Sequence, residues 1–326
     1  MALCDRLESA QAERERRRDR LAAASMQRMN EFTDAASFRE DARFHLCQLP
    51  VLTTRPEHIQ QLRQTILNLA IRGQLVCQDP NDESASELLK RIRSKKAGLV
   101  KERTVKPQSA LPPIDAPFPV PPNWRWVRFG ELIIGADAGW SPASEGFPRS
   151  GDNWGVLKVS AVSWDKFLPE ENKQLLPEVA PPEAAQVHEG DFLISRANTS
   201  ELVAKCVVVE QEPQKLILSD KIVRLQISGG CLKKFLSIVN NYSPHARSYY
   251  AEEASGTSLS MKNVSRAVIY ALAMPLPPFA EQQRIVAKVD ELMALCDRLE
   301  AQLTAAQTES RRLLEAVLHE ALAPAV

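Results

Sequence analysis

Eight residues, MALCDRLE, open the chain at Met1–Glu8 and return letter for letter at Met293–Glu300. An identity of that length, so far apart, marks two copies of one unit flanking whatever lies between them. The second copy sits in an apolar series: Ile285, Val289, Leu292, Cys296, Leu299, Leu303, Ala306, Leu313 and Val317, with Ser310 a polar gap. Steps of four and three keep one seam on one side of a slightly underwound helix, the pattern of a coiled coil. An amphipathic helix packed on its own domain gives the same stripe; the repeat is what favours a paired coil. In the first copy the seam runs through Cys4 and Leu7, after which the equivalent positions become Gln11, Arg14 and Arg18 before Leu21. ERERRRDR therefore reads as a solvated helical stretch supported by mixed i,i+4 charges. A chain opening inside a repeat unit reads as half of something larger.

Between the copies the texture changes twice. A helix from about Met1 to Met29, a break near Thr33 and a short amphipathic piece to Cys47 come first. A helix with Thr54 as cap, Pro56 in its first turn and Gly73 at its end then carries the stripe Ile59, Leu62, Ile66, Leu69 and Ala70. Ser84 with Glu87 three residues on starts another, expected to end near Gly98. Seven prolines in 106–124 make a stiff, extended linker. Beyond it come short β-rich runs (WVRFGELII, GVLKVSAVS, GDFLIS, LVAKCVVV, KIVRLQI), then one or two helices between Cys231 and Ala254. The expected fold is α+β: a helical region 1–105, a Pro-rich linker 106–123, one mixed α/β domain 124–278, and a C-terminal coiled-coil helix 279–326. The five tryptophans, Trp124, Trp126, Trp140, Trp154 and Trp164, read as core anchors.

Length and composition suit two or three globular domains. No run approaches the length of a membrane span and no charged-then-apolar leader is present, so no membrane is implied. Six cysteines without a C-x-x-C pair suggest reduced thiols in a cytoplasm. Formal charge is zero, but unevenly spread: residues 1–106 carry 20 basic and 15 acidic side chains, residues 123–278 carry 16 and 17. The surplus lies in 90–106, where eight basic residues face Glu102 alone. Such a run could follow a phosphate backbone or be a solvated helix face.

No phosphate-loop or dinucleotide signature occurs, and no histidine is spaced for zinc, so no metal site is expected. Asp152, Glu171 and Lys173 loosely imitate the D…E-x-K set of magnesium-dependent nucleases; E-x-K is cheap, however, in a chain with 25% charged residues. The more promising cluster is SRANTSELVAK. Ser195, Arg196, Asn198, Thr199 and Lys205 put a guanidinium, an amide, hydroxyls and an ammonium at one loop. Arg suits a guanine edge, Asn an adenine edge, and Ser or Thr a phosphate; a hairpin turn satisfying its own backbone is the alternative. A second polar loop offers Lys262, Asn263 and Arg266.

PLPPFAEQQRIVAKVDELMALCDRLEAQL at the end, LRQTILNLAIRGQLVCQDPNDESASELLKRIRSKK in the first part, and DFLISRANTSELVAKCVVV with LSDKIVRL in the middle resemble the DNA-specificity subunit of type I restriction–modification systems. The resemblance spans nearly the whole chain. A full-length member alternates two target-recognition domains with two helical regions; this chain lacks the first domain and resembles a C-terminal half. The resemblance implies that residues 124–278 form one target-recognition domain reading half of a bipartite double-stranded DNA site. It also implies that the flanking helices form an antiparallel coiled coil that spaces the halves and docks modification subunits. The candidate coil or partner residues are Ile285, Val289, Leu292, Cys296, Leu299, Leu303, Leu313 and Val317, with Leu3 and Leu7. No cofactor is expected on this chain; S-adenosylmethionine belongs to the methyltransferase subunits, and ATP and Mg2+ to partners that include a restriction subunit. A final helix of roughly 65 Å, at about 1.5 Å per residue, exceeds one turn of duplex, about 34–36 Å.

Three readings follow. The first is a non-catalytic half-subunit working as a homodimer or with an N-terminal half. The second is a magnesium-dependent nuclease on Asp152, Glu171 and Lys173. The third is a truncated coiled-coil adaptor that competes for modification subunits without reading DNA.

Overall fold

The computed structural model describes residues 2–30, 35–163, 165–256 and 261–322. By contacts they divide into two bodies, one from Met1–Ala70 and Ala287–Val326, the other from Ile71–Val286. The first hundred residues are helical, as their periodicity requires: α1 (Ala2–Asn30), α2 (Ala35–Leu52), α3 (Pro56–Ile71) and α4 (Ala85–Lys101).

In the first body α1 packs along α2, burying Ala22, Met26 and Met29. Ser25 Oγ lies 2.9 Å from His45 Nδ1, and Arg28 pairs with Asp41 at 3.0 Å. Asp19 draws the start of α3 in, taking Arg55 and, at 3.1 Å, His58. Thr54, expected as a cap, accepts a hydrogen bond from Arg18. The α3 stripe is seated as the spacing predicts, with Ile59, Ile66, Leu69 and Ala70 buried and Leu62 partly covered. The break near Thr33 and the side chains of Leu3 and Leu7 lie outside the described residues.

The second body begins where α3 ends. Gly73 has φ +70°, and a Cβ there would sit 2.6 Å from Pro121 Cγ and 2.7 Å from the Trp124 ring. Only glycine accepts both the left-handed turn and that approach. Ser84 caps α4 as expected, its Oγ accepting from Glu87 N at 3.4 Å. The helix does not stop at Gly98, around which space is open, but continues until Arg103 turns left-handed at φ +59°. The prolyl stretch after it has no regular structure, yet it is a strap along this body. Trp126 Nε1 donates to Phe118 O at 3.2 Å, their rings meet edge-on at 4.8 Å, and Arg128 binds the carbonyls of Pro112 and Pro113.

In order then come β1 (Arg125–Arg128), α5 (Phe129–Leu132), β2 (Ile133–Ala138), β3 (Gly155–Leu157), β4 (Asn172–Gln174), β5 (Phe192–Ser195), β6 (Ala197–Asn198), β7 (Cys206–Val208), β8 (Leu216–Ile217) and β9 (Ile222–Ile227). They are followed by α6 (Lys233–Tyr242), α7 (Pro244–Glu253), β10 (Lys262–Asn263), α8 (Arg266–Ala271), β11 (Ala273–Leu276) and α9 (Phe279–Leu322). An antiparallel sheet runs β2-β9-β5-β7, a smaller one β4-β3-β8, and two pairs, β1-β11 and β6-β10, complete the set. β5 is buried along its length, which is why GDFLIS reads as an apolar run rather than an alternation. Leu193, Val207 and Ile222 pack with Leu157, Val162, Leu216 and Leu218 to fill the core, and α6 packs against β7. The class is α+β, as expected. Trp124 is buried; Trp140, expected in the core, is 41% exposed on the loop after β2, and Trp164 lies outside the described residues.

The start of α9 latches onto the second body. Glu281 is buried and accepts from Gln78 Nε2 at 2.6 Å and Trp124 Nε1 at 2.9 Å. Gln282 accepts from Leu232 N and donates to Pro277 O, while Arg284 forks onto Asp82 at 3.2 and 2.6 Å. Ile285 is fully buried. From Ala287 onward α9 belongs to the first body, where Val289 and Cys296 are buried and Leu292, Leu299 and Leu303 half-buried. Arg63 of α3 pairs with Asp297 at 2.6 Å and Glu300 at 2.7 Å. Further along the seam is bare: Leu313 is 59% and Val317 60% exposed. Such a helix is long enough for a coiled coil. Among the described residues, no helix is long and apolar enough to cross a membrane.

Candidate nucleic-acid interface

The two polar loops meet because β10 pairs with β6. Lys262 faces Asn198 and Asn263 faces Ala197 in an antiparallel register. Arg196 sits where three segments join, its N–H donating to Lys221 O and its carbonyl accepting from Val264 N, both at 2.9 Å. The Arg196, Asn263 and Arg266 side chains are exposed and form no hydrogen bond or ion pair among the described residues. Lys262 Nζ bonds Gly256 O at 2.7 Å. Lys221, exposed beside Arg196, was not singled out by sequence, where KIVRLQI read only as a β-rich run.

The remaining candidates hold the loop together. Ser195 is fully buried with its Oγ 3.3 Å from Leu202 O, so it does not reach the exposed patch. Asn198 donates to Ser163 Oγ at 2.7 Å and accepts from Thr199 N at 2.8 Å, the self-satisfied turn that Asn readily forms. Thr199 O accepts from Leu202 N and Val203 N. Lys205 turns inward: its Nζ bonds Asn241 O at 3.1 Å and stands 5.0 Å from the Tyr242 ring centre. Burial, first of all, lowers its pKa.

Sequence reading missed the brace beneath. Asn241 accepts from Cys206 N at 3.0 Å and donates to Cys206 O at 2.8 Å. Asn240 donates to Ala204 O at 2.7 Å and accepts from Tyr250 OH at 2.9 Å. Arg247 binds the carbonyls of Glu201 and Val203. Ala204, held at φ +59°, is the strained residue these bonds fix. The available signal was an Asn pair closing an amphipathic helix, LKKFLSIVNNY.

The nuclease candidates part company. Asp152 pairs with Lys215 at 2.5 Å, which lowers its pKa, and Glu171 accepts from Ser160 Oγ at 2.6 Å with Lys158 beside it. Lys173 is exposed on β4 opposite Val156. Among the described residues, no group of three His, Cys, Asp or Glu is placed to hold a metal ion.

No family model matches the chain. It is 36% identical over 327 aligned residues to the type I restriction enzyme EcoEI specificity subunit of Escherichia coli, an alignment covering 99% of this chain and 55% of that protein. The chain belongs to the family of type I restriction specificity subunits. A second such subunit, EcoAI of Escherichia coli, is 30% identical over 83% of this chain and 46% of its own length. The chain thus spans about half the length of the specificity subunits it matches. Among solved structures, the HsdS subunit from Thermoanaerobacter tengcongensis aligns with 82% of this chain and 59% of its own at 20% identity, TM-score 0.42.

Proposed function

We infer that this chain is the DNA-reading part of a type I restriction–modification complex, one recognition domain reading half of a bipartite duplex site. The observation that carries this reading is the β6–β10 pairing in a chain of this family. It sets half-exposed Lys262 and exposed Asn263 beside the strand after Arg196, on a braced backbone, with exposed Lys221 bonded to Arg196 and exposed Arg266 three residues beyond Asn263. Arg196 and Arg266 are the base-edge readers, since a free guanidinium suits a bidentate contact to guanine; Lys221 and Lys262 serve phosphates. Asn198, Thr199 and Lys205 act by holding the loop.

Residues 124–278 have no charge surplus, so partners add to the field that draws DNA in. Modification subunits dock along the helices and bring S-adenosylmethionine, and a restriction subunit brings ATP and Mg2+. The bare end of α9, with Leu313, Leu314, Val317 and Leu318 all at least 50% exposed, favours a partner there: a second copy, an N-terminal half or a modification subunit. It fits the adaptor reading equally well, and DNA methylation separates the two. Methylome sequencing of a host with and without the gene, alongside its modification subunits, should show a gene-dependent methylated motif. Tight subunit binding with no such motif would leave only the adaptor.

A further inference from the structure

A second basic surface lies in the same body. On α4, Arg91 and Lys95 are four residues apart and so share one face. With Leu88 and Ile92 below them and the turn Ser228-Gly229-Gly230 opposite, they line a groove of about 350 Å3. The turn is closed by Cys231 N donating to Ser228 O at 3.0 Å. A Cβ on Gly230 would stand 2.7 Å from Leu88 Cδ1, so glycine is what lets the turn lie against α4.

Three donors of this turn are idle. Ser228 is 3% exposed, and its hydroxyl, the part of it that reaches solvent, has no partner among the described residues. The N–H groups of Gly229 and Gly230 donate to nothing among those residues either. Lys95 is exposed and unpaired among them, and Arg91 is engaged only by Glu83 at 2.8 Å in an exposed pair, which water already weakens. Its neighbours are spoken for: Lys90 by Glu87, Arg93 by Glu131, Lys96 by Gln108 and Gly130 O. A solvent-reaching hydroxyl without a partner, two glycine amides and two cations around one groove form the donor set of a phosphodiester seat.

We propose that this groove holds a backbone phosphate of duplex DNA, apart from the residues that read bases. The proposal rests on the DNA-reading function inferred above and adds to it a sequence-independent anchor on α4. The glycine turn receives the phosphate oxygens and Arg91 and Lys95 neutralise it.

The test is fluorescence anisotropy of the full chain, assembled with its modification subunits, on a labelled duplex of mixed sequence, between about 50 and 200 mM salt. Arg91→Ala and Lys95→Ala should each weaken binding and flatten the slope of log affinity against log salt by about 0.9, leaving sequence preference intact. Gly229→Asp should weaken it too, by placing a carboxylate in the groove; a Cβ at 229 meets nothing within 4 Å and its φ is not left-handed, so the fold is undisturbed. Unchanged slopes in all three variants, with wild-type binding present, overturn the seat and leave the DNA-reading function standing. Absence of duplex binding by the wild type overturns both. Uptake of inorganic pyrophosphate that duplex does not displace assigns the groove to a free anion and overturns the proposal.

Discussion

Asn241 braces the loop at residues 195–205 from beneath. It satisfies both backbone groups of Cys206, where a buried amide or carbonyl has no water to turn to. Asn241→Ala should destabilise the chain by about 1–3 kcal/mol, read as a lower urea midpoint at unchanged slope. Glu281 sets a different expectation. Burial is the main cause that raises its carboxyl pKa, so the folded chain keeps that proton over a pH range where the unfolded chain has lost it. Its contribution is most favourable on the acid side of about 4.3, the ordinary glutamate value, and declines as pH rises through the raised one. The stability of wild type relative to Glu281→Gln should therefore fall from acid pH towards neutrality; a flat difference across urea melts at several pH values would remove the effect. In sequence, SRANTSELVAK was legible as a polar turn between strands. Which of its side chains remain free was not: Lys205 is withdrawn by α6, and nothing local to the loop announces that.

Among the elements, α9 divides along its length. Its seam was legible residue by residue from the four-and-three spacing, but spacing does not say which turns find a neighbour within the chain. Ile285→Ala should cost about 2–5 kcal/mol, as large-to-small changes at closed sites do. Leu313→Ser with Val317→Ser should stay within about 0.5 kcal/mol of wild type, yet reduce association with a second copy or with modification subunits in sedimentation experiments. α4 shows the limit of reading glycine as a stop. Gly98 passes through the helix because a single glycine costs only about 1 kcal/mol, and the end comes where Arg103 turns.

For the whole molecule, the proposed function divides the polar residues into those that would read and those that hold the loop. Arg196→Ala and Arg266→Ala should each lower affinity for the methylated motif by about 1–3 kcal/mol while leaving other sequences nearly untouched, measured by competition between cognate and mixed duplexes. A loss equal on all sequences would show contact with phosphates alone. The α+β class and the family likeness were legible in the chain because repeats, prolines and strand runs are local signals. The meeting of the loops at residues 195–205 and 255–266 was not, since it is made by a two-residue ladder between segments far apart in sequence. That ladder has an evolutionary consequence. Arg196 is pinned through its backbone to Lys221 and Val264, so its side chain can be exchanged without disturbing its frame. On the reading proposed for Arg196, target preference is free to drift one letter at a time, while folding and assembly stay under separate selection.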